Sequence, residues 1–229
     1  MKKIFAILCA VAFTATGFAA TASSKAQLND RLESARQVVE QLEATPDNSP
    51  PDWVMARAVC VAVVPSMKKA AFVFGGQYGQ GVVTCRTGHG WSAPVFIRMA
   101  GGSWGLQIGV QGTDLVLVAM NNQGMQELLK SKFKIGAGAA AAAGPIGRHA
   151  AADTSINMSA ELLSYSRSKG LFAGIDLNGT SVSQNQGDTD SYYGRHYTFK
   201  HILSGGVPVP AGAGPFVRTV AKYFHSSRQ

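Results

Sequence analysis

Between residues 58 and 120 the chain carries six short apolar runs: AVCVAVV, AAFVF, GVVTCR, APVFIRM, LQIGVQ and DLVLVAM. Six residues or fewer, often with glycine, separate one from the next. Runs of this length and valine content are strands. Intervals this short leave no room for the crossover helix that a parallel pair requires, so the strands pair antiparallel. The expected fold is α+β, a curved, barrel-like antiparallel β-sheet with an N-terminal helix and short helices packed on it.

The glycines between these runs invite other readings. Gly76 and Gly81 have the spacing of a phosphate-binding loop, but Val82 and Val83 stand where the lysine and hydroxyl residue must be. The glycines also lead into a strand, not the helix that a dinucleotide loop needs. The expectation is therefore that Gly75, Gly76, Gly79 and Gly81 form a hairpin turn, free of Cβ where backbones approach closely. Gly101-Gly102-Ser103-Trp104-Gly105 matches the G-x-S-x-G nucleophile elbow, and a serine hydrolase using Ser103 is kept as an alternative. Its weakness is that LQIGVQ reads as a strand where the elbow needs a helix. No C-x-x-C or H-E-x-x-H spacing occurs, the Asp176-Leu-Asn178-Gly179 and Asp188-Thr-Asp190 stretches complete no calcium loop and read as turns, and no metal or cofactor is expected.

Residues 1–22 have a basic start (Lys2, Lys3), an apolar stretch from Ile4 to Phe13 and an Ala20-Thr21-Ala22 cleavage pattern, so they read as a secretory signal cut before Ser23. Losing two lysines lowers the formal net charge from +8 to +6. A basic, exported chain of periplasmic or outer-envelope location implies anionic partners and makes nucleic acid an unexpected one. In that oxidising compartment Cys60 and Cys85 form either a cross-strand bridge or two buried thiols; the sequence leaves both open.

Residues 23–50 read as a helix and linker. Ser24 and Gln27 make a capping box, and Leu28, Leu32, Ala35, Val38, Val39 and Leu42 follow at helical spacing. The opposite face balances Arg31 and Arg36 against Asp30, Glu33 and Glu40, which suits packing on a domain. A brief helix is expected over 123–129, a close-packed small-residue segment over 136–144, and a hairpin-like turn at Asn178-Gly179. Residues 205–229 hold a Gly/Pro-rich loop and a basic amphipathic helix, with Phe216, Val217, Val220 and Phe224 on one face.

Lys130-Ser-Lys132-Phe-Lys134-Ile alternates strictly. If extended, it puts three ammonium groups on one face and Phe133 and Ile135 on the other. Lys68, Lys69 and Arg148 lie in other turns or strand ends that could join them. The same pattern serves equally well to guard an edge strand, and the sequence leaves both readings open.

The blocks ARAVCVAVVPSMKKAAFVFGGQYGQGVV, GWSAPVFIRMAGGSWGLQIGVQGTDLVLVAM, KFKIGAGAAAAAGPIGR, YSRSKGLFAGIDLNG and YYGR occur in this order. They resemble the SYLF domain, a lipid-binding family also found in eukaryotic actin-patch proteins. The likeness covers most of residues 51–204. It implies phospholipid binding without catalysis or cofactor, and actin is not an expected partner for an exported protein. Charge and spacing in this sequence place the anticipated site at Lys68, Lys69, Lys130, Lys132, Lys134 and Arg148 for anionic lipid, with Trp104, Phe216 and Phe224 for apolar contact. An envelope scaffold without lipid affinity is the remaining alternative.

Overall fold

The computed structural model describes residues 23–44, 49–137, 140–147, 160–168, 170–175 and 177–225, with backbone alone along 69–75, 103–111 and at 168. Residues 1–22, read above as a signal, residues 45–48 of the expected linker, and Arg148 lie outside the described residues.

Helix α1 (Lys25–Glu43) starts where the capping box places it. Gln27 N–H donates to Ser24 Oγ (3.3 Å), and Ser24 N–H donates to Gln27 Oε1 (2.9 Å). The six apolar residues read at helical spacing are the six it buries. A short helix α2 (Asp52–Arg57) leads into β1 (Cys60–Thr87), β2 (Gly90–Trp91) and β3 (Val95–Ala119). The chain continues through α3 (Asn122–Leu129), β4 (Lys132–Lys134), β5 (Ala141–Ala143), β6 (Leu162–Ser168), β7 (Leu171–Gly174), β8 (Ser181–Gln184), α4 (Gln186–Tyr193) and α5 (Gly214–Tyr223).

The six expected strands are two. β1 and β3 run through the glycine-rich intervals as one long antiparallel hairpin, and its turn lies at Gly88-His89, not at residues 75–81. Gly76, Gly79 and Gly81 are mid-strand and none has a positive φ. Irregularities fall between Val64 and Met67 and between Ala71 and Val73. Pro65, which can give no ladder hydrogen bond, sits in the first, as a proline inside a sheet must.

These bulges curl the hairpin until its own strand meets itself. Arg86 N–H donates to the Val59 carbonyl (2.7 Å), and Cys60 and Cys85, at opposite ends of β1, form a disulfide. The bridge reading of the two cysteines is the one the structure has. Gly79 and Gly81 lie at this crossing: a Cβ on Gly81 would stand 2.2 Å from the Val63 carbonyl oxygen, and one on Gly79 2.5 Å from Val64. Close approach, not turn formation, is what they provide.

Among the described residues the result is a curled half-barrel of eight strands. β6 pairs with β3 at one end and β8 at the other, with β4 beyond β8. The small-residue segment supplies β5, which runs parallel to β6, so the sheet is mixed. The turn at Asn178-Gly179 forms, with Gly179 at φ 85°, but β7 and β8 pair with different strands and make no hairpin.

Period-two alternation divides the apolar residues between the two faces. Cys60, Ala62, Val64, Ile97 and Met99 line the inside of the curl, closed by Leu128, Phe199 and Leu203. Val61, Val63, Val82 and Phe96 face outward beneath α1 and α5. α5 uses Phe216, Val217, Val220 and Phe224 for that contact. Arg86 fixes its end by donating to the Phe224 carbonyl (2.8 Å) and lying 4.9 Å over the Trp91 ring.

Candidate anion-binding surface

β4 forms because its alternation fits a half-buried strand. Phe133 and Ile135 are buried in the curl, while Lys132 and Lys134 point out. Register carries this outer face across four strands. Lys132, Ser183, Arg98 and Gln80 make one row, and Lys134, Ser181, Ala100 and Tyr78 another. Directly paired residues share a face. The intervening row of Phe133, Val182, Met99 and Gly79 is buried on the other side.

α1 covers this outer face only as far as Gln80, whose Oε1 accepts from Arg31 Nη2 at 2.6 Å. Beyond that point no described residue covers the sheet. Tyr78 is 48% exposed, Ala100 is exposed, and Cβ positions on the paired glycines Gly76 and Gly102 meet nothing within 4 Å. On the α1 side, Lys68 and Tyr78 help line a groove of about 320 Å³ together with Ser34, Pro65 and Ser66. Ser66 itself has φ 48°, and its N–H donates to Asp114 Oδ1 (2.9 Å), which fixes the bulge beside Lys68.

Among the described residues Lys68, Lys132 and Lys134 form no ion pair. They flank an aromatic ring and a strip of small residues. Such a surface can hold an anion by charge and accommodate an apolar or sugar group against Tyr78.

The other anticipated site residues lie elsewhere. Lys130 is not in the strand: it caps the C-terminus of α3 and pairs with Glu127 at 2.6 Å, which already meets its charge. Phe216 and Phe224 are 1% and 0% exposed; their helix has spent its apolar face on the core, so they offer nothing to a membrane. Lys69 and Trp104 are placed by backbone only, opposite Gln111 and Phe74. Ser103 pairs with Gly75, and its strand runs on to Ala119 where a nucleophile elbow must turn into a helix. Tyr78 was missed because residues 75–81 read as a turn; inward glycines at 79 and 81 would have marked 78 and 80 as outward.

A half-barrel sheet with a helix laid across its outer face defines the architecture, and comparison with known proteins gives the family. The model described as "Ysc84: Las17-binding protein actin regulator" matches residues 100–223. The chain is 37% identical to Protein YSC84 of Saccharomyces cerevisiae over 172 residues, 73% of this chain and 36% of that protein. It is 35% identical to LAS seventeen-binding protein 3 of the same species over 175 residues, 75% of this chain and 38% of that one. With SH3 domain-containing YSC84-like protein 1 of Homo sapiens it shares 32% over 191 residues, 81% of this chain and 56% of that protein. The chain belongs to the Ysc84, or SYLF, family, and it spans between about a third and just over half of these relatives' lengths.

Proposed function

We propose that this chain is an exported, non-catalytic binding protein that lays the outer face of β1, β3, β8 and β4, beyond the cover of α1, on an anionic phospholipid surface at a bacterial envelope. The observation that carries this is the set of three exposed lysines, Lys68, Lys132 and Lys134, without ion pairs among the described residues and around exposed Tyr78. Each lysine near an anionic membrane contributes on the order of 1 kcal/mol. The Cys60–Cys85 bridge supports the exported setting, because such bonds persist in oxidising compartments.

Co-sedimentation of residues 23–229 with vesicles tests the reading. Binding to anionic vesicles, weak with zwitterionic ones and fading with salt, is expected. Reversing Lys68, Lys132 and Lys134 together to glutamate should weaken it about a hundredfold or more, given about 1 kcal/mol per charge. Unchanged binding by the triple variant would remove the surface from consideration, and no binding by the parent would remove the function.

A protein partner is the second reading, favoured by relatives named for binding Las17. On this reading the same lysines meet an acidic protein face. Retention of a defined protein without any vesicle binding would select it.

A further inference from the structure

Asp188, in the first turn of α4, is 1% exposed, yet it is an ionisable side chain with three donors turned on it. Arg31 Nη1 donates to Oδ2 at 2.7 Å and Asn185 Nδ2 to the same oxygen at 2.6 Å. The third donor is the backbone nitrogen of Ser23, 3.0 Å from Oδ1. Ser23 is held on two further sides: its Oγ accepts from Arg31 Nη2 (3.4 Å), and its carbonyl accepts from Ser191 Oγ (3.0 Å). Independently, the sequence places an A-x-A cleavage pattern immediately ahead of Ser23. Two unrelated observations converge on one nitrogen.

We infer that Asp188 is a built acceptor for the α-ammonium of Ser23, created by cleavage between Ala22 and Ser23, so that leader removal completes the docking of α1 onto α4. The inference rests on the export reading proposed above. Hydrolysis of the Ala22–Ser23 amide by a membrane-bound peptidase consumes one water and leaves a carboxylate on Ala22 and an ammonium on Ser23. In the precursor the nitrogen is a neutral amide with a single N–H. After cleavage it is a cation with three, and its bond to a buried carboxylate becomes charge-assisted.

Two cations then share Asp188, each on its own oxygen, with Arg31 also held by Gln80. Burial alone would push the Asp188 carboxyl up. The hydrogen bonds from Arg31 and Ser23 and the charge of Arg31 outweigh this and hold it below its ordinary range. The carboxylate is therefore charged throughout the range in which an α-ammonium titrates. Among the described residues, Lys25 also stands near this corner, 5.9 Å over the Tyr192 ring.

An ammonium bound to Asp188 has a folded pKa raised above the ordinary value of about 7.7–8.0. Its stabilisation is therefore complete below that value and lost as pH rises through the folded pKa. The test compares protein released at Ser23 from a fusion with a form that keeps Ala20, Thr21 and Ala22. At pH 6 the Ser23 form should melt about 2–4 °C higher, a gap that closes in strongly alkaline buffer. Asp188→Asn in both forms should abolish the gap. Equal melting at all pH values, or a gap that survives Asp188→Asn, overturns the inference.

Should Asp188→Asn fail to fold, NMR titration of the Ser23 amine in the unmodified protein decides. A pKa raised by about one unit supports capture, and an ordinary value refutes it. N-terminal sequencing of protein recovered from the envelope of its host tests the cleavage: Ser23 first supports it, and any other start overturns it. Neither measurement involves lipid, so failure of the lipid reading is seen separately, in sedimentation.

Discussion

Gly81→Ala should cost about 3 kcal/mol or more, among the largest effects of a single methyl group anywhere in this chain. The added carbon would stand 2.2 Å from the Val63 carbonyl oxygen and 2.7 Å from a Val64 methyl. Backbone cannot rotate aside as a side chain does, so one arm of β1 must shift away from the other. That shift also strains the Arg86–Val59 hydrogen bond at the same crossing. Gly76→Ala is the matched control. It lies on the same strand with nothing within 4 Å, and alanine there should be neutral or stabilise slightly, by about 0.5 kcal/mol, through lost freedom of the unfolded chain. Urea unfolding midpoints of both variants check this pair. Equal midpoints would mean that the strand does not cross itself at Gly81.

Removing the disulfide should have the second largest effect. Cys60 and Cys85 are 25 residues apart in sequence, and opening a loop of that size releases about 3–4 kcal/mol of chain entropy into the unfolded state. The Cys60→Ser, Cys85→Ser double variant should still fold, because the crossing keeps the hydrogen bond from Arg86 and the packing of Ala62 and Val64 inside the curl. Its unfolding midpoint should fall accordingly. Reductant should lower the parent to the same midpoint and leave the variant unmoved. A parent indifferent to reductant would show that the two sulfurs are not joined in solution.

The two predictions probe the feature that the sequence concealed best. Both cysteines read as members of strand-like runs and a bridge between them was one open possibility, but nothing local says that their runs belong to one strand. Glycine has the same low strand preference whether it ends a strand or lets two strands touch. Residues 75–81 were therefore legible as glycines that matter and illegible as to why. The error propagated to Tyr78, which a turn leaves without a defined face and a strand turns outward. Lys130 failed for a related reason: strict alternation with Lys132 and Lys134 is visible, but the Glu127 that neutralises it comes from the preceding helix. The aromatic residues of α5 were seen correctly as one apolar face, and its occupant is the core beneath α1.

By itself the sequence determined whatever depends on residues within a turn or two of each other. The start of α1 at Ser24, its six buried positions, the helix at α3, and the division of Phe133 and Ile135 from Lys132 and Lys134 all follow from hydrogen bonds and periodicities local to the chain. Only the tertiary structure decided that β1 runs on through four glycines, meets itself at Gly81, and passes out from under α1 beyond Gln80. These outcomes turn on which residues tens of positions apart come within van der Waals reach, and the free energy of that choice is shared over the whole curl rather than written in any one segment.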